Sequence, residues 1–190
     1  YRIPNMNQCQ SCHVQLQGFN RRTLPIGPKI KNLNRNFEYP SGVENQITYL
    51  EKIGLLKNRS EPVSSIPNLP NWQDPLSGSL EGRARAYLDI NCAHCHLASG
   101  SASTSGLFLN WEEQNSRKIG ICKTPVAAGN GGGLPFDITP GNPEQSLLVT
   151  RMRSTAPNVM MPELGRSLAH GEAIRLIEEW IEGMPGGCKP

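Results

Sequence analysis

The sequence predicts an all-α fold with long loops, built as two small units in tandem. Three observations point to it. The pattern Cys-x-x-Cys-His occurs twice, at Cys9-Gln10-Ser11-Cys12-His13 and at Cys92-Ala93-His94-Cys95-His96. The clear apolar periodicities in the chain have the helical repeat. Between the two motifs, Pro62, Pro67, Pro70 and Pro75 rule out a long helix and read as a linker laid along the surface. We therefore expect a first unit with its Pro-rich linker over residues 1–77 and a second unit over 78–190.

Cys-x-x-Cys-His is the signature of covalent c-type haem attachment. Each cysteine adds across a haem vinyl group, and the adjacent histidine serves as the proximal iron ligand. Cys9, Cys12 and His13 form one such set, and Cys92, Cys95 and His96 the other. From His13 to His96 is 83 residues, which suits one small haem-binding unit after another. Paired Cys-x-x-Cys knuckles also suit tetrahedral zinc, and a disulfide framework is a further reading. A histidine directly after each pair favours two covalently bound haems.

Hydrophobic residues make up only 37% of the chain, with 19 Gly and 16 Pro, so the polypeptide alone has a thin core and many loops. A haem is a large apolar disc around which short helices pack, so two of them repair that deficit. The formal charge of +3 is offset by acidic haem propionates, and no nucleic-acid or anionic-membrane partner is expected. There is no long apolar run to span a bilayer and no signal peptide at Tyr1. Haem attachment follows export, so the chain reads as a mature periplasmic or extracellular protein, or part of a longer secreted one. In that compartment the two remaining cysteines, Cys122 and Cys188, most simply form a disulfide.

In chain order, Leu33 to Tyr39 shows no clear period. Ser41-Gly42-Val43-Glu44 has capping-box spacing, and Val43, Ile47 and Leu50 continue as one helical face ending near Lys52 and Gly54. A second helix is expected from Ser79 to Asn91, delivering the chain into Cys92. The Gly- and Ser-rich stretch from Ser99 to Asp137 reads as loop. Its Gly129-Asn130-Gly131-Gly132-Gly133 run lacks the lysine and strand-helix context of a phosphate cradle. Glu144 to Arg153 reads as a short helix. The last helix is the clearest, with Ile174, Ile177 and Ile181 opposite Arg175, Glu178 and Glu182, stopped by Gly183 and Pro185.

Entry helix, Cys-x-x-Cys-His, loop, short helix, Met-Pro and final helix is an order that resembles class I cytochrome c. The combination of NCAHCH, GICKTPVAAG, RMRST and MMPELGR resembles a family of di-haem c-type cytochromes over nearly the whole chain. The resemblance implies cytochrome c-like haem units and electron transfer with exported redox partner proteins. By analogy only, some relatives are appended to sugar-dehydrogenase-like or carbohydrate-associated modules.

Met161, directly before Pro162 and 65 residues after His96, is the expected distal ligand of the second haem, with Met160 as its competitor. No methionine or histidine lies between Val14 and Asn91, so the first haem lacks a distal ligand of its own. Met152, His170 and His94 from the second unit, Lys29, Lys31, and Met6 are candidates, each with an ordinary packing or solvated alternative. An open position is the other outcome, and with it a di-haem peroxidase-like enzyme as the alternative function. No general acid or base for such chemistry stands out in the first unit, so no catalytic residue is assigned.

Overall fold

The computed structural model describes residues 3–126 and 133–188; the Gly129 to Gly132 part of the glycine run lies outside them. Seven helices and two hairpins follow one another. Helix α1, Met6–His13, is started by a capping box in which the Asn5 side chain accepts from Gln8 N and Gln8 returns the bond. Strands β1, Val14–Gln17, and β2, Asn20–Thr23, form the first antiparallel hairpin. After the short helix α2, Ile30–Leu33, strands β3, Asn36–Tyr39, and β4, Gly42–Asn45, form the second. Helix α3, Gln46–Lys52, follows it directly.

These hairpins overturn the all-α expectation, and the fold is mixed helix and strand. Both turns carry the residues that hairpins demand. Gly18, at φ 59°, opens the two-residue loop between Gln17 and Asn20. Gly42, at φ 114°, closes the Pro40-Ser41 turn. The strands are too short and polar to show a period-2 signal. The helix expected from Val43 is corrected with them. Val43 lies in β4 and is 68% exposed, and the helix starts at Gln46. Its cap is Asn45, whose side chain accepts from Ile47 N at 3.0 Å, and not Ser41.

Helix α4, Leu80–Asn91, begins at the N-cap Ser79 and buries Ala84, Tyr87 and Leu88. Helix α5, Ser116–Ile119, is one turn. Helix α6, Leu147–Arg153, is preceded by a 3₁₀ turn at Pro143–Gln145, and helix α7, Gly171–Glu182, closes the fold. The apolar core is gathered by α4, α6 and α7, with Leu109, Ile119 and Ile138 from the intervening loops. α4 packs on α7, and Ala84 of the one and Ala173, Ile177 and Ile181 of the other are all fully buried in the core they share.

The Pro-rich stretch is pinned to the body. Ile66 and Leu69 are buried, and the Asn34 side-chain amide donates to the Ile66 carbonyl at 2.7 Å. Lys31 is only 8% exposed, and it and Lys29 reach across to Asp89 on α4, which is wholly buried. Asp89 also accepts from Trp111 N at 2.9 Å, and Lys31 pairs with Glu112 at 2.6 Å. Cys122 and Cys188 are joined by a disulfide that ties the C-terminal end of the chain to the loop after α5. Among the described residues no helix is long and apolar enough to cross a membrane.

Candidate functional site

Cys9, Cys12 and His13 occupy the last turns of α1 at positions i, i+3 and i+4, so the helix presents all three on one side. The second motif is a tight turn at the end of α4. The N–H of Cys92 closes the helix onto the Leu88 carbonyl at 2.9 Å, and the N–H of His96 returns to the Cys92 carbonyl at 2.9 Å. The four motif cysteines are free thiols. Burial pushes the Cys12 thiol up to about 11 and the Cys92 thiol up to about 12. Neither is an activated thiolate nucleophile.

His13 Nδ1 lies 2.8 Å from the Leu24 carbonyl. A carbonyl only accepts, so Nδ1 of His13 carries the proton and its Nε2 is left with a bare lone pair. His96 Nδ1 lies 3.5 Å from Ser105 Oγ, whose own proton goes to the Ala102 carbonyl at 2.6 Å, and a backbone hydrogen bond with Leu107 also acts on the His96 ring. In both motifs this backbone partner is a leucine 11 residues after the histidine. Burial also holds His96 below the usual imidazole range.

The motifs lie side by side. Leu16 N donates to the Ser99 carbonyl at 2.7 Å, and Gln15 bridges to Gly100. Ser101 Oγ donates to the Ser11 carbonyl at 2.6 Å, and the Cys95 thiol points at the same oxygen at 3.6 Å. Gly100 permits the turn that follows the second motif, because a Cβ there would overlap the Cys95 carbonyl. Cys12 Sγ, Cys95 Sγ and a ring nitrogen of His94 lie within 4.8 Å of one another.

These residues fit haem better than zinc. A structural zinc takes four protein ligands, and the cluster offers three, leaving out Cys9, Cys92, His13 and His96. Haem attachment would use all six motif residues, and the bond of His13 Nδ1 to the Leu24 carbonyl is the kind of brace that metal-ligating histidines have.

The remaining candidates are placed as follows. Met161 is half-buried in the loop after α6, where its N–H donates to the Arg151 carbonyl at 2.9 Å. Arg166 ties the same loop by donating to the Arg151, Ser154 and Pro162 carbonyls. Met160, by contrast, lines a cavity of about 340 Å³ between this loop and Ile3, Pro4 and Gln8. Met152 is buried in the core. His170 is engaged by the Tyr87 hydroxyl at 3.1 Å and packs edge-on to Trp72 at 5.1 Å. Met6 is 87% exposed.

The backbone partners at Leu24 and Leu107, the Asp89 network and Gly100 all escape a reading by residue type. The first pair had a countable signal, the shared 11-residue spacing; a backbone partner itself has none. Compared with protein-family models, with curated proteins and with solved structures, the chain matches none.

Proposed function

We propose that this chain is a di-haem c-type cytochrome that carries electrons between exported redox proteins, a member of the family its NCAHCH and MMPELGR motifs resemble. The observation that carries the reading is the two Cys-x-x-Cys-His motifs lying side by side, with His13 Nδ1–H committed to the Leu24 carbonyl, beside free cysteines. Haem c, when bound, supplies a one-electron iron couple.

Cys9 and Cys12 would hold one haem through thioether bonds, and Cys92 and Cys95 the other. His13 and His96 would each give a ring nitrogen to an iron, Nε2 in His13, with the Leu24 carbonyl fixing the orientation of that ring and raising its basicity. Met161 would be the second ligand beside His96, and a thioether there sets a higher potential than a second imidazole would. The Arg166 clamp and the Met161 N–H bond to Arg151 keep that loop in one geometry. The disulfide supports an exported, oxidising location, periplasmic or extracellular.

The test is haem retention after denaturation in acidified organic solvent. Two haems per chain should stay with the polypeptide, falling to one in Cys9→Ala/Cys12→Ala; extractable haem, or none, overturns the reading. Met161→Ala should abolish the near-infrared sulfur-to-iron band of the oxidised protein. An unchanged band would reject the Met161 assignment alone.

A further inference from the structure

A distal ligand for the first iron has to satisfy three conditions. If it is a methionine or histidine it must come from outside residues 14–91, which hold neither. It must keep an uncommitted donor atom, and it must lie against the first motif. The structure separates the candidates on these grounds. Lys29 and Lys31 both pair with Asp89, at 2.9 and 3.1 Å. Met152 is packed in the core of α4, α6 and α7, and His170 is held by Tyr87. Met6 shares α1 with Cys9 and faces solvent.

His94 meets every condition. Its Nδ1 is buried and has no hydrogen-bond partner among the described residues. An orphaned buried polar atom of this kind is costly unless something pairs with it. One of its ring nitrogens is within 4.8 Å of the Cys12 thiol, and the His13 ring lies within electrostatic reach of it. His94 stands between Cys92 and Cys95, two residues before His96. Tethered on both sides within that turn, it cannot pass to the opposite face of a haem held by the same two cysteines. It is available only to a neighbouring centre.

We propose that His94 is the sixth ligand of the iron bound through Cys9, Cys12 and His13, so that the second motif supplies one ligand to each iron. This rests on the di-haem reading above. It makes the first centre a bis-histidine one, lower in potential than a His/Met second centre, and closes the position a peroxidase would need. It also links the two centres through the peptide bonds from His94 to His96.

The test uses the full-length holoprotein, read by EPR, near-infrared magnetic circular dichroism and carbon monoxide uptake after reduction. Wild type should show two low-spin irons, one with bis-imidazole and one with imidazole-thioether signatures, and no carbon monoxide uptake at the first. The chain has four histidines, so a bis-imidazole iron needs either His94 or His170 beside the two motif histidines. His94→Ala should convert one iron to high spin, open it to one carbon monoxide per chain, and recover its low-spin spectrum with added imidazole. His170→Ala should leave both spectra unchanged. Should His94→Ala fail to mature, His170→Ala and wild type still decide. A bis-imidazole signal that survives loss of His170 upholds the proposal, and one that disappears with it overturns it. A high-spin first iron in wild type, or unaltered spectra in His94→Ala, also overturns it. Absence of covalent haem would instead remove the di-haem reading itself.

Discussion

Asp89→Asn tests what welds the first motif's segment to the helix that delivers the second. Asp89 is wholly buried on α4, and its Oδ1 accepts from Lys29, Lys31 and Trp111 N. The two lysine contacts are unequal. The Lys31 side chain is 9% exposed, so its charge has lost most of its water, whereas Lys29 at 39% exposure is screened and contributes little. Removing one partner of a buried pair costs about 3–5 kcal/mol, because the other charge is left uncompensated. Glu112 still faces Lys31 at 2.6 Å, and asparagine can keep the Trp111 bond, so the lower end, about 3 kcal/mol, applies. For a chain of this length that lowers the melting temperature by about 6–12 °C, measured by far-ultraviolet circular dichroism. Because the loss comes from a stranded charge, adding Lys31→Met should return a good part of it, and high salt should change it little. A loss under about 1 kcal/mol, or a double variant whose cost is the sum of the singles, would refute the reasoning.

The other predictions rest on separate features. Cys122→Ser/Cys188→Ser opens a loop whose ends are 66 residues apart. Loop entropy then gives a loss of about 4 kcal/mol, read as a fall of about 8–16 °C in thermal unfolding without reductant. A fall under about 2 °C would show that the bridge constrains little. Gly100→Ala places a methyl group against the Cys95 carbonyl and should cost about 1–3 kcal/mol, with haem content dropping specifically at the second motif. Normal content there would show that the turn after Cys95 tolerates a side chain at this position. Glu144 is held below the usual carboxylate range by Arg153, so this pair stabilises the protein above that range and is lost as pH falls through the lowered value. Arg153→Gln should therefore shift acid unfolding to higher pH, and an unmoved midpoint would argue that the pair is too exposed to count.

What the sequence made legible is the second half. The apolar stripe Ile174, Ile177, Ile181 marks α7 because a helix that packs on a core must repeat every 3.6 residues. Ser79 marks the start of α4, and the leftover pair Cys122 and Cys188 marks the disulfide. The first half hid its strands because β2 is exposed throughout and β3 nearly so, and a strand without a buried face leaves no alternation to read. There the evidence lay in the turns, Gly18-Phe19 and Pro40-Ser41-Gly42. The Ser41 to Glu44 spacing copied a capping box by chance, while Asn45 one residue later was the real cap. The two Cys-x-x-Cys-His motifs were legible, but their mutual approach was not, since it depends on β1 pairing with Gly100.

That difference between the halves has a thermodynamic consequence. The buried apolar residues before α4 are Val14, Ile47, Ile66 and Leu69 among those described, and α1 buries none. An eight-residue helix is marginal on its own, and one capping box adds only about 1 kcal/mol. The second half has its own core, so its helices should exchange amide protons only through global unfolding. On the proposed function, α1 gains its missing core from the haem fixed at Cys9 and Cys12. Hydrogen exchange should then show α1 protected in the holoprotein and nearly unprotected in Cys9→Ala/Cys12→Ala, while α4 and α7 keep their protection in both. Equal protection of α1 in the two proteins would mean that its contacts with the Ser99 to Ser101 segment suffice without a haem, and that the thin first half is stable through its polar bonds alone.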